Sequence, residues 1–248
     1  MLGYKKYSET MLQMLQDRFK ALDNDDAESQ EFKAVLCNRL SGKPGPTQVQ
    51  RKQTSDDKRL ARLSHGWEEI SECRERLGHS EVYVRQYPTY RSFKTKRITK
   101  VTDLRYHIEK YFEEMYILKE RLKSYIKVVE SLRPNDQSAN RVLNSLKTVA
   151  RQTLYPITRT IRGSHVHNSR YRDSGIDRLV TLGVVISELH LNSKLDKASR
   201  VYFKSVYSRE RNEWARRIQA NNKEVDRLLD AYFDALYPLV FSYGLEKN

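Results

Sequence analysis

"TDLRYHIEKYFEEMYILKERLKSYIKVVESL", residues 102–132, decides the fold. Leu104, Ile108, Tyr111, Phe112, Met115, Leu118, Leu122, Ile126 and Val129 recur at three- and four-residue steps, the period of a helix that buries one face. Charged residues such as Lys110, Glu114 and Lys123 cover the remainder. Thr102 is positioned to cap the start, and Pro134 stops the helix shortly after Leu132. A helix this long, with a single apolar stripe, belongs in a bundle.

The same period extends outward in both directions. Upstream, Leu60, Leu63, Trp67, Ile70 and Cys73 share a face, and Leu77 with Gly78 reads as the end of that helix. Further upstream, Tyr7, Met11, Met14, Leu15, Phe19 and Leu22 form another stripe. Between them, "SGKPGPTQVQRKQTSDD" at 41–57 has two prolines, two glycines and almost no apolar content, which reads as a linker. Downstream, a helix is expected over about 138–162, bent at Pro156. The next helix, capped by Asp173 or Ser174, contains Ile176, Leu179, Val180, Leu182, Val184, Val185, Ile186 and Leu189 and is expected to be central because it is apolar nearly all round. From about Leu195 to Tyr243 one long or two shorter helices carry Tyr202, Val206, Trp214, Ile218, Leu228, Leu229, Tyr232, Leu236 and Leu239. The expected architecture is all-α: an N-terminal helical arm over 1–40, a linker over 41–57, and a bundle over 58–248 ending in a long C-terminal helical segment.

Charge narrows the partners. Lys and Arg outnumber Asp and Glu by 46 to 32, a formal charge of +14, so polyanions are attracted through counterion release and steering. Cys37 and Cys73 are the two cysteines and form no CxxC, which suits a reducing compartment and supports neither a disulfide framework nor a thiolate metal site. The longest apolar run, "LVTLGVVI" at 179–186, is too short to span a bilayer, and a cytoplasmic location is expected. The sequence has no GxxxxGK, GxGxxG, HExxH or GxSxG, so P-loop hydrolysis, dinucleotide binding, zinc proteolysis and serine hydrolysis lack their signatures. No cofactor is implied.

Chemistry concentrates in "TRTIRGSHVHNSRYRDSG", residues 158–175. Gly163 suits the left-handed residue that ends a helix, leaving Arg162 on its last turn and Ser164 to Arg172 in a loop. Three readings of these residues stand side by side. His167 acts as acid or base while Arg162 neutralises a phosphate, a division of labour suited to cleaving RNA through its own 2′-hydroxyl. Alternatively His165 and His167 hold a metal, although they supply only two ligands with no nearby Cys or acid to complete the set. Or the loop is simply basic, with Arg162 capping a helix end and His165 bonded to backbone.

"RGSHVH" at a helix junction resembles the Rx4–6H motif of the HEPN superfamily, whose members are helical and often metal-independent ribonucleases. The resemblance covers roughly 101–192, including the long amphipathic helix ahead of the motif. It implies that Arg162 and His167 are a catalytic pair, joined across a homodimer interface with their copies, in a chain that acts as an RNA-cleaving toxin or antiviral effector with an antitoxin or regulatory protein as partner. Arg159 with His165, with five residues between them, also satisfies the spacing. Gly163 stands where family members commonly carry Asn, Asp or another polar residue. His165, Arg159 and Arg170 are then neighbours for substrate binding.

A second basic region, "VYVRQYPTYRSFKTKRITK" at 82–100, interleaves Tyr83, Tyr87, Tyr90 and Phe93 with Arg85, Arg91, Lys94, Lys96, Arg97 and Lys100 and has no acid. It reads either as a surface for single-stranded nucleic acid, through Arg91, Lys96 and Arg97, or as an extended connector with its rings turned inward. A non-catalytic helical module that binds nucleic acid or nucleotide is the alternative function. His107 and His190 read as packing or capping residues.

Overall fold

The computed structural model describes residues 2–23, 55–87, 95, 96, 98–162, 173–188 and 193–241, apart from the side chains of 19, 21–23, 57, 159–162, 187, 188, 193, 194 and 196. These residues form six α-helices and no strand: α1 Leu2–Asp23, α2 Ser55–Arg85, α3 Lys100–Leu132, α4 Gln137–Arg162, α5 Ser174–Glu188 and α6 Ser193–Phe241. The chain is an all-α bundle, as the periodicity requires.

α3 is the axis. Each apolar residue read from its stripe is buried, and Tyr125 joins them. α2 runs antiparallel to α3, as Arg76 to Glu114, Arg121 to Glu69 and Arg62 to Ser131 show. The turn at 133–136, with Asn135 at φ 71°, sends α4 back along α3. α6 is a single helix of 49 residues, about 73 Å at 1.5 Å per residue, and it touches every other helix. Its second half lies parallel to α1: Tyr4 meets Asp230, Tyr7 meets Phe233 and Thr10 meets Tyr237. Tyr7 and Met11 are fully buried, so the N-terminal helix is a packed member of the bundle.

Four details depart from the sequence reading. α3 starts at Lys100 because Thr99, in extended conformation, accepts the Thr102 N–H at 3.1 Å; Thr102 lies inside the helix. α2 continues through Gly78 to Arg85, since Ser80 and Val84 stay buried on its inner face while a Cβ at Gly78 would meet nothing within 4 Å. Tertiary packing here outweighs the roughly 1 kcal/mol helix penalty of one glycine. α5 is peripheral: Ile176 and Leu179 are buried, but Val180 and Val184 are 38% and 53% exposed, because among the described helices its main contacts are with α3 and α6 on one side. Tyr202 likewise faces outward on α6, one turn before the buried Val206. The linker read at 41–57 lies outside the described residues up to 54, and α2 has begun by Ser55. α4 is helical across Pro156, whose ring sits on the exposed face.

Candidate nucleic-acid interface

α3 and α4 part on their outer sides into a groove of about 930 Å³. Its floor comes from Ile126 and Ala150, small or aliphatic residues that let the two helices approach. Its walls are basic because both helices put cations at four-residue steps beside the buried stripe: Lys119, Lys123 and Lys127 on α3, Lys147 and Arg151 on α4. Glu120 is the one carboxylate among the described residues of the lining. It lies 3.6 Å from Lys119 and 3.7 Å from Lys123, and Lys147 reaches Glu130 at 3.2 Å. Lys127 and Arg151 make no ion pair among the described residues. The groove therefore keeps a net positive wall on both sides.

Two rings flank these cations. Tyr155 is 46% exposed in the groove, and Tyr116, 37% exposed, lies under the ammonium of Lys119 at 4.9 Å. Cations on facing walls with an open ring between them suit phosphates and a stacked base.

The helical register of α4 connects this groove to the motif. Arg151, Tyr155, Arg159 and Arg162 follow one another by four, four and three residues, so their positions fall on one face of the helix. Arg162 is the last residue of α4. On the far side of the motif Asp173 begins α5, its carboxylate accepting the Gly175 and Ile176 N–H groups at 3.0 Å each. Arg217 of α6 approaches the other carboxylate oxygen at 3.9 Å. The motif is thus bounded by two helix ends, both anchored to the bundle.

His165, His167 and Arg170 lie outside the described residues, as do the side chains of Arg159 and Arg162. Arg91 and Arg97 also lie outside them. Lys96 is described and exposed. Of the 82–100 segment, residues 82–85 are helix, and the Tyr87 hydroxyl donates to the Ile98 carbonyl at 2.7 Å, so this ring serves the connection into α3. Tyr83 stacks on His107 with centroids 5.4 Å apart, and His107 Nε2 lies 3.6 Å from Asp103, a packing role for that histidine. Burial pushes the Asp103 carboxyl above its usual range, with His107 opposing the shift.

The groove cations went unread in the sequence because they belong to two helices. The signal was nevertheless available: three lysines at 119, 123 and 127 share one face of α3, and the pair 147 and 151 repeats it on α4. Among the described residues no group of three or more His, Cys, Asp or Glu side chains is placed to share a metal ion, and no helix is long and apolar enough to cross a membrane. No family model matches the chain, and no curated protein or solved structure is significantly similar to it.

Proposed function

We propose that this chain binds RNA along the α3/α4 groove and cleaves it at the α4–α5 junction. The observation that supports the reading is the continuity of one α4 face from Arg151 and Tyr155 in the groove to Arg159 and Arg162 at the motif. In this reading the groove lysines hold successive phosphates and Tyr155 stacks a base. The scissile phosphate then lies at the helix end, where Arg162 neutralises the charge that builds on phosphorus. His167 removes the proton from the 2′-hydroxyl as the oxygen attacks phosphorus, the P–O5′ bond breaks, the 5′-oxygen takes a proton from water, and a 2′,3′-cyclic phosphate remains. His165 and Arg170 contact the strand on either side. The assignment of Arg162 and His167 rests on the residue types and on the resemblance to HEPN ribonucleases, and assembly as a homodimer, an antitoxin partner and a toxin or antiviral role belong to the same proposal.

Binding without turnover is the second reading, favoured by a groove that is basic, open and aromatic without any contribution from the histidines. Fluorescence anisotropy with a labelled single-stranded RNA, followed by electrophoresis of the same samples, separates the two. Binding with shortened RNA supports the nuclease, binding with intact RNA supports the module, and no salt-sensitive binding contradicts both.

A further inference from the structure

A second cleft, also about 930 Å³, opens where the start of α3, α5 and the first half of α6 meet. Its chemistry differs from that of the α3/α4 groove. The floor is aliphatic, made by Leu179, Val180, Val184 and Ile186 of α5. Gly183 lies among them, and the Cβ it lacks would meet nothing nearer than the Phe203 ring at 3.9 Å, so the floor stays open at that point. Above it stand four cations, Lys100 from α3 and Arg200, Lys204 and Arg211 from α6, and none of the described residues that line the cleft is a carboxylate. The Arg211 guanidinium sits over the Tyr207 ring at 5.6 Å and the two side chains are hydrogen-bonded, while its buried Nε has no acceptor among the described residues.

The lining also distinguishes between kinds of anion. Tyr207 is 7% exposed and lies beneath both Arg211 and Lys100, and Phe203 stacks against it at 6.4 Å, so neither ring is set out as a platform for a base. What is set out is aliphatic surface, with Val180 and Val184 open to water. Such a concave apolar floor beneath a cationic rim matches a chain with a charged head. We propose that this cleft binds an anionic amphiphile as a single molecule, its aliphatic chain on the Val180 and Val184 floor and its phosphate or carboxylate head among Lys100, Lys204 and Arg211.

The test is calorimetric titration of the full chain with octyl, decyl and dodecyl phosphate, each below its micelle concentration. Inorganic phosphate, dodecylphosphocholine and phosphatidylglycerol vesicles are the comparison arms. Affinity is expected to rise by up to about fifteenfold for each two-carbon extension. Inorganic phosphate and the zwitterionic head are expected to bind at least roughly tenfold more weakly than dodecyl phosphate. Val184→Asp, at an exposed site, removes the dependence on chain length, and Lys204→Glu weakens every anionic member; circular dichroism confirms that each variant is folded, and either one suffices for the test. Affinity independent of chain length, inorganic phosphate binding as well as dodecyl phosphate, vesicle binding without monomer binding, or an unchanged series in folded Val184→Asp overturns the proposal.

Discussion

The hydroxyls of Tyr7 on α1 and Tyr125 on α3 lie 2.5 Å apart in the core, joining residues 118 positions apart in the chain. Both side chains are sealed from water, and the rings pack edge to face. Burial pushes each phenol above its ordinary range, most of all Tyr7, where Tyr125 adds to the shift. Replacing Tyr7 with Phe strands the Tyr125 hydroxyl and should cost about 1–3 kcal/mol, while Tyr7→Phe with Tyr125→Phe should recover part of that loss. Urea unfolding of the four proteins in a cycle measures it; additive losses would mean that the two hydroxyls do not depend on one another. The raised phenols also set an alkaline limit. Folded tyrosines hold their protons while unfolded ones lose them from about pH 10 upward, so stability present below that pH falls as pH rises towards the folded values.

Tyr125 depends on a second residue. A Cβ at Gly66 of α2 would lie 2.5 Å from Tyr125 Cδ2. Gly66→Ala gains about 1 kcal/mol of helix propensity, but it forces a fully buried ring to move in a packed core. The net expectation is destabilisation by roughly 1–3 kcal/mol, read as a lower urea midpoint. Gly78→Ala, where a Cβ meets nothing within 4 Å, should instead stabilise, and the opposite order would refute this account of α2 packing.

Asp136 starts α4. Its carboxylate accepts the Ala139 N–H at 2.9 Å and the Ser138 hydroxyl at 2.7 Å, which hold its pKa below the usual carboxylate range. A carboxyl depressed in the folded state contributes stability above its unfolded pKa and loses it as pH falls through the folded value. Asp136→Asn keeps a capping oxygen and removes the charge. The gap in melting temperature between the two proteins should therefore be widest near neutral pH and close as pH drops below about 4. A gap that does not vary with pH would remove the charge from the explanation.

Charge reversal at Lys127 and Arg151 tests the groove. RNA affinity should fall roughly tenfold or more, and the slope of log affinity against log salt should shrink by about 1.4, as two lost phosphate contacts require. Lys223→Glu, a reversal on the exposed face of α6, should leave the slope nearly unchanged. Equal losses from both would reduce the groove to a share of net charge.

The sequence made α3 legible because one repeated stripe from Leu104 to Val129 encodes both the helix and its buried face, and α6 was readable for the same reason from Val206 to Leu236. Periodicity does not name the partner of a face. The apolar content of α5 therefore suggested a central helix, whereas two of its valines line an open cleft. A glycine likewise carries no label for its environment, so Gly78 read as a stop although packing beyond it keeps α2 helical. The groove depends on cations that meet only when α4 folds back on α3. Of the sequence-read site, the backbone of Arg162 is placed at the end of α4, and the side chains of Arg162 and His167, read as a catalytic pair, lie outside the described residues.

The central claim is that RNA held in the α3/α4 groove is cut at the Arg162–His167 motif, and cleavage of a labelled RNA in the presence of chelator measures it most directly. Wild-type protein should convert the RNA to fragments ending in 2′,3′-cyclic phosphate. His167→Ala should bind with wild-type affinity and cut at least about a hundredfold more slowly, the lower range for loss of a general acid or base. Lys127→Glu with Arg151→Glu should lose binding and cutting together. Fragments produced by His167→Ala at the wild-type rate would contradict the account.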